Sequence, residues 1–191
     1  MMVETEHTPN PDTLKFLPQK KVSEVGPIEF LKNDKSIKVS LANKILSLEG
    51  TVMVFFGEDF ITVKKEKDLN WEDMKHGIIS EINDYYSKGN EVVVGKDLRL
   101  VKILSESVSD SKPVESNAVV NKINEILDSK IRPAVARDGG DIAFKSFKDG
   151  IVTVELKGSC SGCPSSIMTL KQGVQNLLCH YVPEIKSVEA I

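Results

Sequence analysis

The sequence GSCSGCPSS at residues 158–166 contains two cysteines, Cys160 and Cys163, separated by two residues. It follows an alternating stretch at 150–157 that is typical of a β-strand. It precedes a stretch from Pro164 to Tyr181 whose apolar residues recur at helical spacing. Pro164 suits the first helical position, where its missing N–H is not needed. We therefore expect both sulfurs at or just before a helix N-terminus, where the partial positive charge favours the thiolate that binds metals or attacks disulfides.

The remainder of the second half predicts a small α+β domain. Two adjacent glycines in the sequence RDGGD at 137–141 indicate a turn. Pro133 is expected to kink or end the helix before that turn, and Pro183 to end the long helix. The predicted order is helix, strand, strand, helix, strand: a helix from about 117, strands at about 142–147 and 151–157, the long helix, and a last strand at 185–191.

The first half, residues 1–95, predicts another small α/β domain. It contains no cysteine, and we find no constellation of residues in it that indicates catalysis. Asn70 is expected to cap its second helix. The predicted elements are strands at 3–6 and 13–17, a helix at about 36–48, a hairpin of strands at 51–56 and 60–63, and a helix at 71–87.

The segment between the two halves, residues 96–116, includes the polar sequence SESVSDSKP. Such a composition cannot bury a core and predicts a flexible linker. The predicted fold class is therefore α+β, with two small α/β domains at 1–95 and 117–191 joined by this linker.

Composition excludes several classes of protein. With 40% hydrophobic and 28% charged residues, the chain is an ordinary globular protein. Its formal net charge of -3 gives no reason to expect a nucleic-acid partner, and no apolar run is long enough to span a membrane. The N-terminus resembles neither a secretory signal nor an Arg-rich transit peptide, so a cytoplasmic protein is expected. Three cysteines are too few for a disulfide framework, so the close pair indicates metal binding or redox activity.

Several kinds of chemistry are open to the cysteine pair. A thioredoxin-like oxidoreductase needs a further strand pair and a proline-bearing loop after the motif helix, but the remaining residues supply one strand. A structural zinc site needs four ligands, and the loop provides two. Cys179 and His180 lie near the far end of the helix, roughly 24 Å from Cys163 at about 1.5 Å per residue, so they cannot reach the same ion.

An iron–sulfur cluster meets the same shortage of ligands. A [4Fe–4S] cluster is normally held by four thiolates, and one chain brings two to this loop. Two chains related by a two-fold axis bring four, which predicts a homodimer with the cluster between the two subunits. Cys179 points roughly opposite the apolar stripe of its helix, so we expect a spectator thiol, not a ligand.

The second half resembles the C-terminal NifU-like domain of iron–sulfur scaffold and carrier proteins, and the first half resembles the Nfu N-terminal domain. The matching segments of the second half are IRP at 131–133, DGGD at 138–141, GSCSGCPSS at 158–166 and TLK at 169–171. Those of the first half are TPNP at 8–11, LKF at 14–16, VFFG at 54–57 and DFITV at 59–63.

The resemblance implies a non-enzymatic carrier that receives a [4Fe–4S] cluster from upstream assembly machinery and delivers it to apo iron–sulfur proteins. It assigns the ligand role to Cys160 and Cys163 only. The cysteine-rich assembly and [2Fe–2S] modules of full-length NifU have no counterpart here, so assembly from sulfide is not expected. The chain opens directly on the domain, which favours a bacterial cytoplasmic protein, with a processed mitochondrial matrix protein as the alternative. The other candidate function is a dithiol oxidoreductase that uses the same cysteines.

Overall fold

A computed structural model describes residues 3–34, 39–95, 118–161 and 164–191, with side chains for all of these except 164–166. The described residues form two domains that each combine helices with a β-sheet, which confirms the α+β fold class. The predicted linker at 96–116 and the loop residues Gly162 and Cys163 lie outside the described residues.

The N-terminal domain is an antiparallel sheet with two helices. Its described strands form a five-stranded sheet in the order β1-β2-β5-β4-β3. The elements are β1 (Glu4–His7), β2 (Thr13–Leu17), β3 (Ile28–Leu31), α1 (Ser40–Ser47), β4 (Thr51–Phe56), β5 (Ile61–Lys65) and α2 (Trp71–Ser87).

Most of these elements were predicted from their periodicity, with three differences. The four-residue strand β3 was missed, because its apolar alternation is too short to stand out after Pro27. Helix α1 begins at Ser40, and the earlier part of the predicted helix, 35–38, lies outside the described residues. Asn70 occupies the N-cap of α2 with extended backbone angles, but its side chain makes no capping hydrogen bond.

The central strands of the five-stranded sheet, β2, β5 and β4, are buried on both faces, whereas the edge strand β1 is exposed. Along a strand, successive side chains point to opposite faces. One face packs with α1 and α2 in a single apolar core, to which it contributes Leu14, Phe16, Val54, Phe56, Ile61 and Val63. The alternate positions form the opposite face, where Met53 and Phe55 pack with Phe60 and with Ala136 of the C-terminal domain. The other half of the chain therefore covers the central part of the second face of the sheet.

The C-terminal domain has the predicted order of helix, strand, strand, helix, strand. Strand β6 pairs antiparallel with β7, and β7 pairs parallel with β8. The elements are α3 (Ala118–Ile126), a π-helical turn (Leu127–Ile131), α4 (Arg132–Arg137), β6 (Gly140–Lys148), β7 (Ile151–Gly158), α5 (Pro164–Tyr181) and β8 (Ser187–Ala190).

Pro133 does not end the first helix of this domain. The chain stays helical to Arg137, with a π-helical turn immediately before the proline. Proline has no N–H to donate and its ring crowds the preceding turn, and the wider π turn relieves that conflict. Because α4 begins at Arg132, the proline falls in its first turn, where the missing N–H costs little.

The buried face of α5 is broader than its sequence indicated. Val174 and Leu178 are buried as expected. Cys179 is half-buried and packs against the domain core, because α5 also contacts β8 and so buries a wider arc than the apolar stripe. Tyr181, assigned to the stripe, is 39% exposed, and the Nζ of Lys130 lies 5.1 Å from its ring centroid. Among the described residues, no helix is long and apolar enough to cross a membrane.

Candidate functional site

The cysteine loop, residues 158–163, lies between β7 and α5, as the sequence predicted. Strand β7 ends at Gly158, whose φ of +67° is costly for any residue with a side chain. The Ser161 N–H donates to the Gly158 carbonyl over 3.2 Å, which turns the chain back. Cys160 therefore stands just before α5, and its side chain is buried in the core of the C-terminal domain. Cys163 lies outside the described residues, so its pairing with Cys160 stays a prediction.

A second turn, the Asp-Gly-Gly turn at 138–140, lies against the cysteine loop. The Ser159 N–H donates to the Gly139 carbonyl over 3.2 Å, and the Ser159 hydroxyl donates to the Asp138 carbonyl. A Cβ placed on Gly140 would lie 2.7 Å from the Sγ of Cys160. Gly140 therefore provides the space that the cysteine side chain fills. In the sequence these glycines indicated only a turn and formed part of the family resemblance.

The surroundings of Cys160 raise the pKa of its thiol to about 11, which favours the protonated form. Burial is the largest cause, the negative charges of Asp138 and Asp141 act in the same direction, and a hydrogen bond with Ser159 opposes them. The expectation of a thiolate favoured by the helix N-terminus is therefore wrong for Cys160, because desolvation of the buried sulfur disfavours its charged form. For Cys163, outside the described residues, the expectation stays a prediction.

An apolar groove of about 500 Å³ opens beside Cys160. Its walls come from the π-helical turn, α4 and α5 of the C-terminal domain, and Pro9 of the N-terminal domain also lines it. The apolar lining includes Ile131, Val135, Leu170, Val174 and Leu177. The groove gives the sulfur a non-polar neighbourhood on this side.

The N-terminal domain hydrogen-bonds directly to the backbone of the cysteine loop. In the described part of the loop, the contacts involve the residues immediately around Cys160. The three bonds are Gly158 N–H to Glu29 Oε2 at 2.7 Å, Asn10 Nδ2 to the Ser159 carbonyl at 3.1 Å, and Lys64 Nζ to the Ser161 carbonyl at 3.3 Å. The sequence showed no catalytic constellation in this half of the chain, and these contacts were not predicted.

The N-terminal domain also holds the Asp-Gly-Gly turn and the end of α4. The Thr62 hydroxyl donates to the Gly139 carbonyl over 2.7 Å, and Lys15 Nζ donates to the Arg137 carbonyl over 3.2 Å. Lys15 and Thr62 lie within the segments that carried the first-half resemblance. That resemblance was the only sequence signal that singled them out.

Two carboxylates flank the site, the half-buried Glu29 and the buried Asp141. Burial raises the pKa of Glu29, although the Gly158 N–H and the positive charges of Lys157 and Lys64 lower it. Burial likewise raises the pKa of Asp141, opposed by the charge of Arg132, whose Nε lies 3.5 Å from the carboxylate. The same Nε donates to the Ile142 carbonyl over 2.9 Å, so Arg132 fixes the start of β6 beside Cys160.

No described group of three or more histidine, cysteine or acidic side chains is arranged to hold a metal ion. His180 is exposed, and its ring lies against Tyr181 with centroids 4.9 Å apart. Because Cys163 is outside the described residues, the predicted ligand pair is not tested by this result.

The fold and the cysteine loop define a two-domain protein with a NifU-like C-terminal half. The model of the NifU-like domain matches residues 123–189, and that of the scaffold protein Nfu/NifU N terminal matches residues 3–89. The chain belongs to the Nfu family of NifU-like proteins.

Curated relatives match along the whole chain. It is 42% identical over 191 residues to "NifU-like protein 4, mitochondrial" of Arabidopsis thaliana, covering 99% of this chain and 65% of that protein. It is 42% identical over 193 residues to "NFU1 iron-sulfur cluster scaffold homolog, mitochondrial" of Homo sapiens, covering 100% of this chain and 72% of that protein. The chain thus spans about two thirds of the length of these relatives.

A solved NifU-like protein from Saccharomyces cerevisiae is 26% identical, with a TM-score of 0.46 over 51% of this chain and 87% of that chain. The comparisons give no support to the oxidoreductase alternative. Nor do they support the expected bacterial cytoplasmic location, since the two curated relatives above are both named as mitochondrial.

Proposed function

We propose that this protein is a scaffold and carrier for a [4Fe–4S] cluster, held between two copies of the chain by Cys160 and Cys163 of each. Family membership and the name of the human relative support an iron–sulfur scaffold role. The observation that supports sharing of the cluster between two chains is the number of thiols in the loop. One chain brings two cysteines to the loop, and a [4Fe–4S] cluster is normally held by four thiolates.

The third cysteine does not complete a site within one chain. Cys179 lies in the last turn of α5, which begins at Pro164, so it stands roughly 24 Å from the cysteine loop at about 1.5 Å per residue. It is also half-buried against the core of its own domain. A second copy of the chain, related by a two-fold axis, supplies the two missing thiolates from the same two cysteines, so no ligand of another kind is needed.

The cluster is cargo in this proposal. The chain receives it from upstream assembly machinery and passes it to apo iron–sulfur proteins, with no chemical conversion of its own. The mitochondrial names of the relatives favour the matrix as the place of this transfer.

Anaerobic reconstitution of the full chain with iron and sulfide tests the proposal. We expect about four irons and four sulfides per two chains, and loss of this cargo to an apo iron–sulfur acceptor added afterwards. Cys160→Ser and Cys163→Ser should take up no cluster. Disulfide-reductase activity without iron uptake would contradict the carrier and favour the oxidoreductase.

A further inference from the structure

We propose that the N-terminal domain is a cover for the cysteine loop. In the cluster-free chain it binds the loop through a defined surface, and it releases the loop before two copies share a cluster. The first part of this proposal concerns the free chain alone. The second part, release on loading, rests on the proposed function.

The loop-binding surface, which we define as Asn10, Lys15, Glu29, Phe55, Thr62 and Lys64, is built by strand alternation. Its five strand residues belong to β2, β3, β4 and β5, and their sequence neighbours lie in the core beneath α1 and α2. Side chains alternate between faces along a strand, so these five share the opposite face. Asn10 joins them from the turn between β1 and β2.

Polar residues of this surface are deeply buried. Thr62 is 0% exposed and Asn10 is 2% exposed. Buried polar groups need hydrogen-bond partners, and the C-terminal domain provides carbonyls for both of these donors. The Glu29 carboxylate is matched in the same way by the Gly158 N–H. The polar groups of this surface are thus paired with specific backbone groups of Gly139, Ser159 and Gly158, whereas those of a solvated sheet face would be paired with water.

The C-terminal domain has small residues where the two domains approach most closely. Gly139 and Gly158 have φ angles of +80° and +67°, in the region that favours glycine. A Cβ on Gly139 would lie 2.7 Å from the Thr62 Oγ1, and one on Gly158 would lie 3.1 Å from the Phe55 Cδ1. Both glycines therefore allow the closed contact as well as the local turn.

The same contact competes with a shared cluster. The loop atoms bonded to the N-terminal domain belong to Gly158, Ser159 and Ser161, which surround Cys160 in the sequence. The Cys160 side chain is only 6% exposed and packs in the core of its own domain, so the contacts of the N-terminal domain add to that burial through the neighbouring backbone. Two cysteine loops that hold one cluster must face each other, and a domain bound to the loop occupies part of that approach. Release of the N-terminal domain consequently precedes pairing of the loops.

The rate at which Cys160 reacts with iodoacetamide in the full-length, reduced, iron-free chain tests the cover. The modified sites are assigned by fragment-ion mass spectrometry, and Cys179 in the same molecule is the internal reference. In Glu29→Lys the hydrogen bond to Gly158 is lost and a positive charge faces Lys64 and Lys157. We expect the ratio of the Cys160 rate to the Cys179 rate to rise about tenfold or more, as suits loss of a charged hydrogen bond.

A second variant disrupts a different contact of the loop-binding surface. Asn10→Asp keeps the oxygen that accepts from the Asp12 N–H and replaces the donor to Ser159 with an acceptor, so it should also raise the ratio. Glu29→Gln keeps an acceptor for Gly158 and should leave the ratio low. Glu72→Lys makes the same charge change on the exposed side of α2, so it should also leave the ratio low. Circular dichroism of each variant checks that both domains stay folded.

An unchanged ratio in folded Glu29→Lys and Asn10→Asp would overturn the cover, because Cys160 would then be buried by its own domain alone. Iron uptake distinguishes this failure from failure of the carrier proposal. If the variants label faster at Cys160 but the chain takes up no iron, the cover proposal stands and the carrier proposal fails. If the chain takes up iron normally but the labelling ratio is unchanged in the variants, the carrier proposal stands and the cover proposal fails. If both hold, cluster loading should be faster in Glu29→Lys than in Glu72→Lys, and equal loading rates would contradict release as a required step.

Discussion

Gly140 lies directly against Cys160, with no room for a side chain between them. A Cβ at position 140 would be 2.7 Å from the cysteine sulfur and 2.7 Å from the carbonyl oxygen of Lys157. The second of these neighbours is backbone of β7, which is paired with β6 and cannot yield cheaply. A side chain at position 140 therefore requires the cysteine sulfur to move and also strains the pairing of β6 with β7.

Gly140→Ala should reduce the iron bound per chain to a minor fraction of the wild-type value in protein that circular dichroism shows to be folded, although the strain on β7 also lowers the stability of the C-terminal domain. The Cys160 sulfur is then displaced from the position in which the loop holds it to bind the cluster. Iron and sulfide analysis after anaerobic reconstitution measures the effect. Gly173→Ala is the control, because nothing lies within 4 Å of a Cβ there and a helical alanine stabilises by about 0.5–1 kcal/mol. Equal iron contents in the two variants would mean that Gly140 does not position Cys160.

The three cysteines should differ sharply under serine substitution. Cys160→Ser and Cys163→Ser should each abolish the cluster and the cluster-linked dimer, because the remaining thiolates cannot complete the coordination sphere. Cys179→Ser should keep both, since Cys179 packs against the core far along α5. Visible absorbance and iron content report the outcome. Loss of iron from Cys179→Ser would show that the third cysteine acts in the site.

Glu29 should make the stability of the closed chain depend on pH. Its pKa is raised in the folded protein, mainly by burial, so the folded state binds the proton more tightly than the unfolded state does. That contribution is fully present below the unfolded value of 4.5 and is lost as the pH rises through the folded value. Facing groups are Lys157 and Glu155 of β7 and Lys64 of β5.

Glu29→Gln removes this titration and keeps an acceptor for the Gly158 N–H. Urea midpoints measured at neutral pH and just below pH 4.5 should show that the stability of Glu29→Gln, relative to that of the wild type, increases as the pH rises. The matched exposed substitution Glu72→Gln should show no such gain, because its carboxylate is stabilised by Lys75, which lowers its pKa. A wild-type advantage that grows toward neutral pH would contradict the sign of the Glu29 effect.

Arg132 should stabilise the strand that starts beside Cys160. Arg132→Ala removes the donor to the Ile142 carbonyl and the positive charge beside the buried Asp141 carboxylate, at a cost of about 1–3 kcal/mol. The pKa of Asp141 should rise further, so the loss should be larger at neutral pH than in acid. Chemical denaturation at two pH values measures it. Lys130→Ala, which loses a contact with Tyr181, should cost less than about 1 kcal/mol at either pH.

Local pattern was sufficient to predict much of the fold and the place of Cys160. The 17 residues of α2 and the 18 residues of α5 follow clear helical periods, and Pro164 marks the start of α5. The hairpin of β4 and β5 was equally clear from its two apolar runs around a turn. These features depend on residues close together in the chain, so the sequence displays them directly.

The cover over the cysteine loop depends on residues that are far apart in the chain. Asn10 and Ser159 are 149 positions apart, and Glu29 and Gly158 are 129 apart. On their strands, Glu29 and Thr62 occupy positions that usually face water in an antiparallel sheet with one covered face. Nothing in the local pattern shows that a second domain covers that face. The expectation of a Cys160 thiolate was wrong for a related reason, because it followed the helix field and omitted the burial of the sulfur in the core of its own domain.

The molecular mass of the iron-loaded protein in solution tests the shared cluster most directly. The free chain weighs 21.1 kDa. Native mass spectrometry of the reconstituted protein should show a species of twice that mass that carries one intact cluster of about four irons. An intact cluster on a species with the mass of one chain, with no added thiol completing its coordination, would contradict the account.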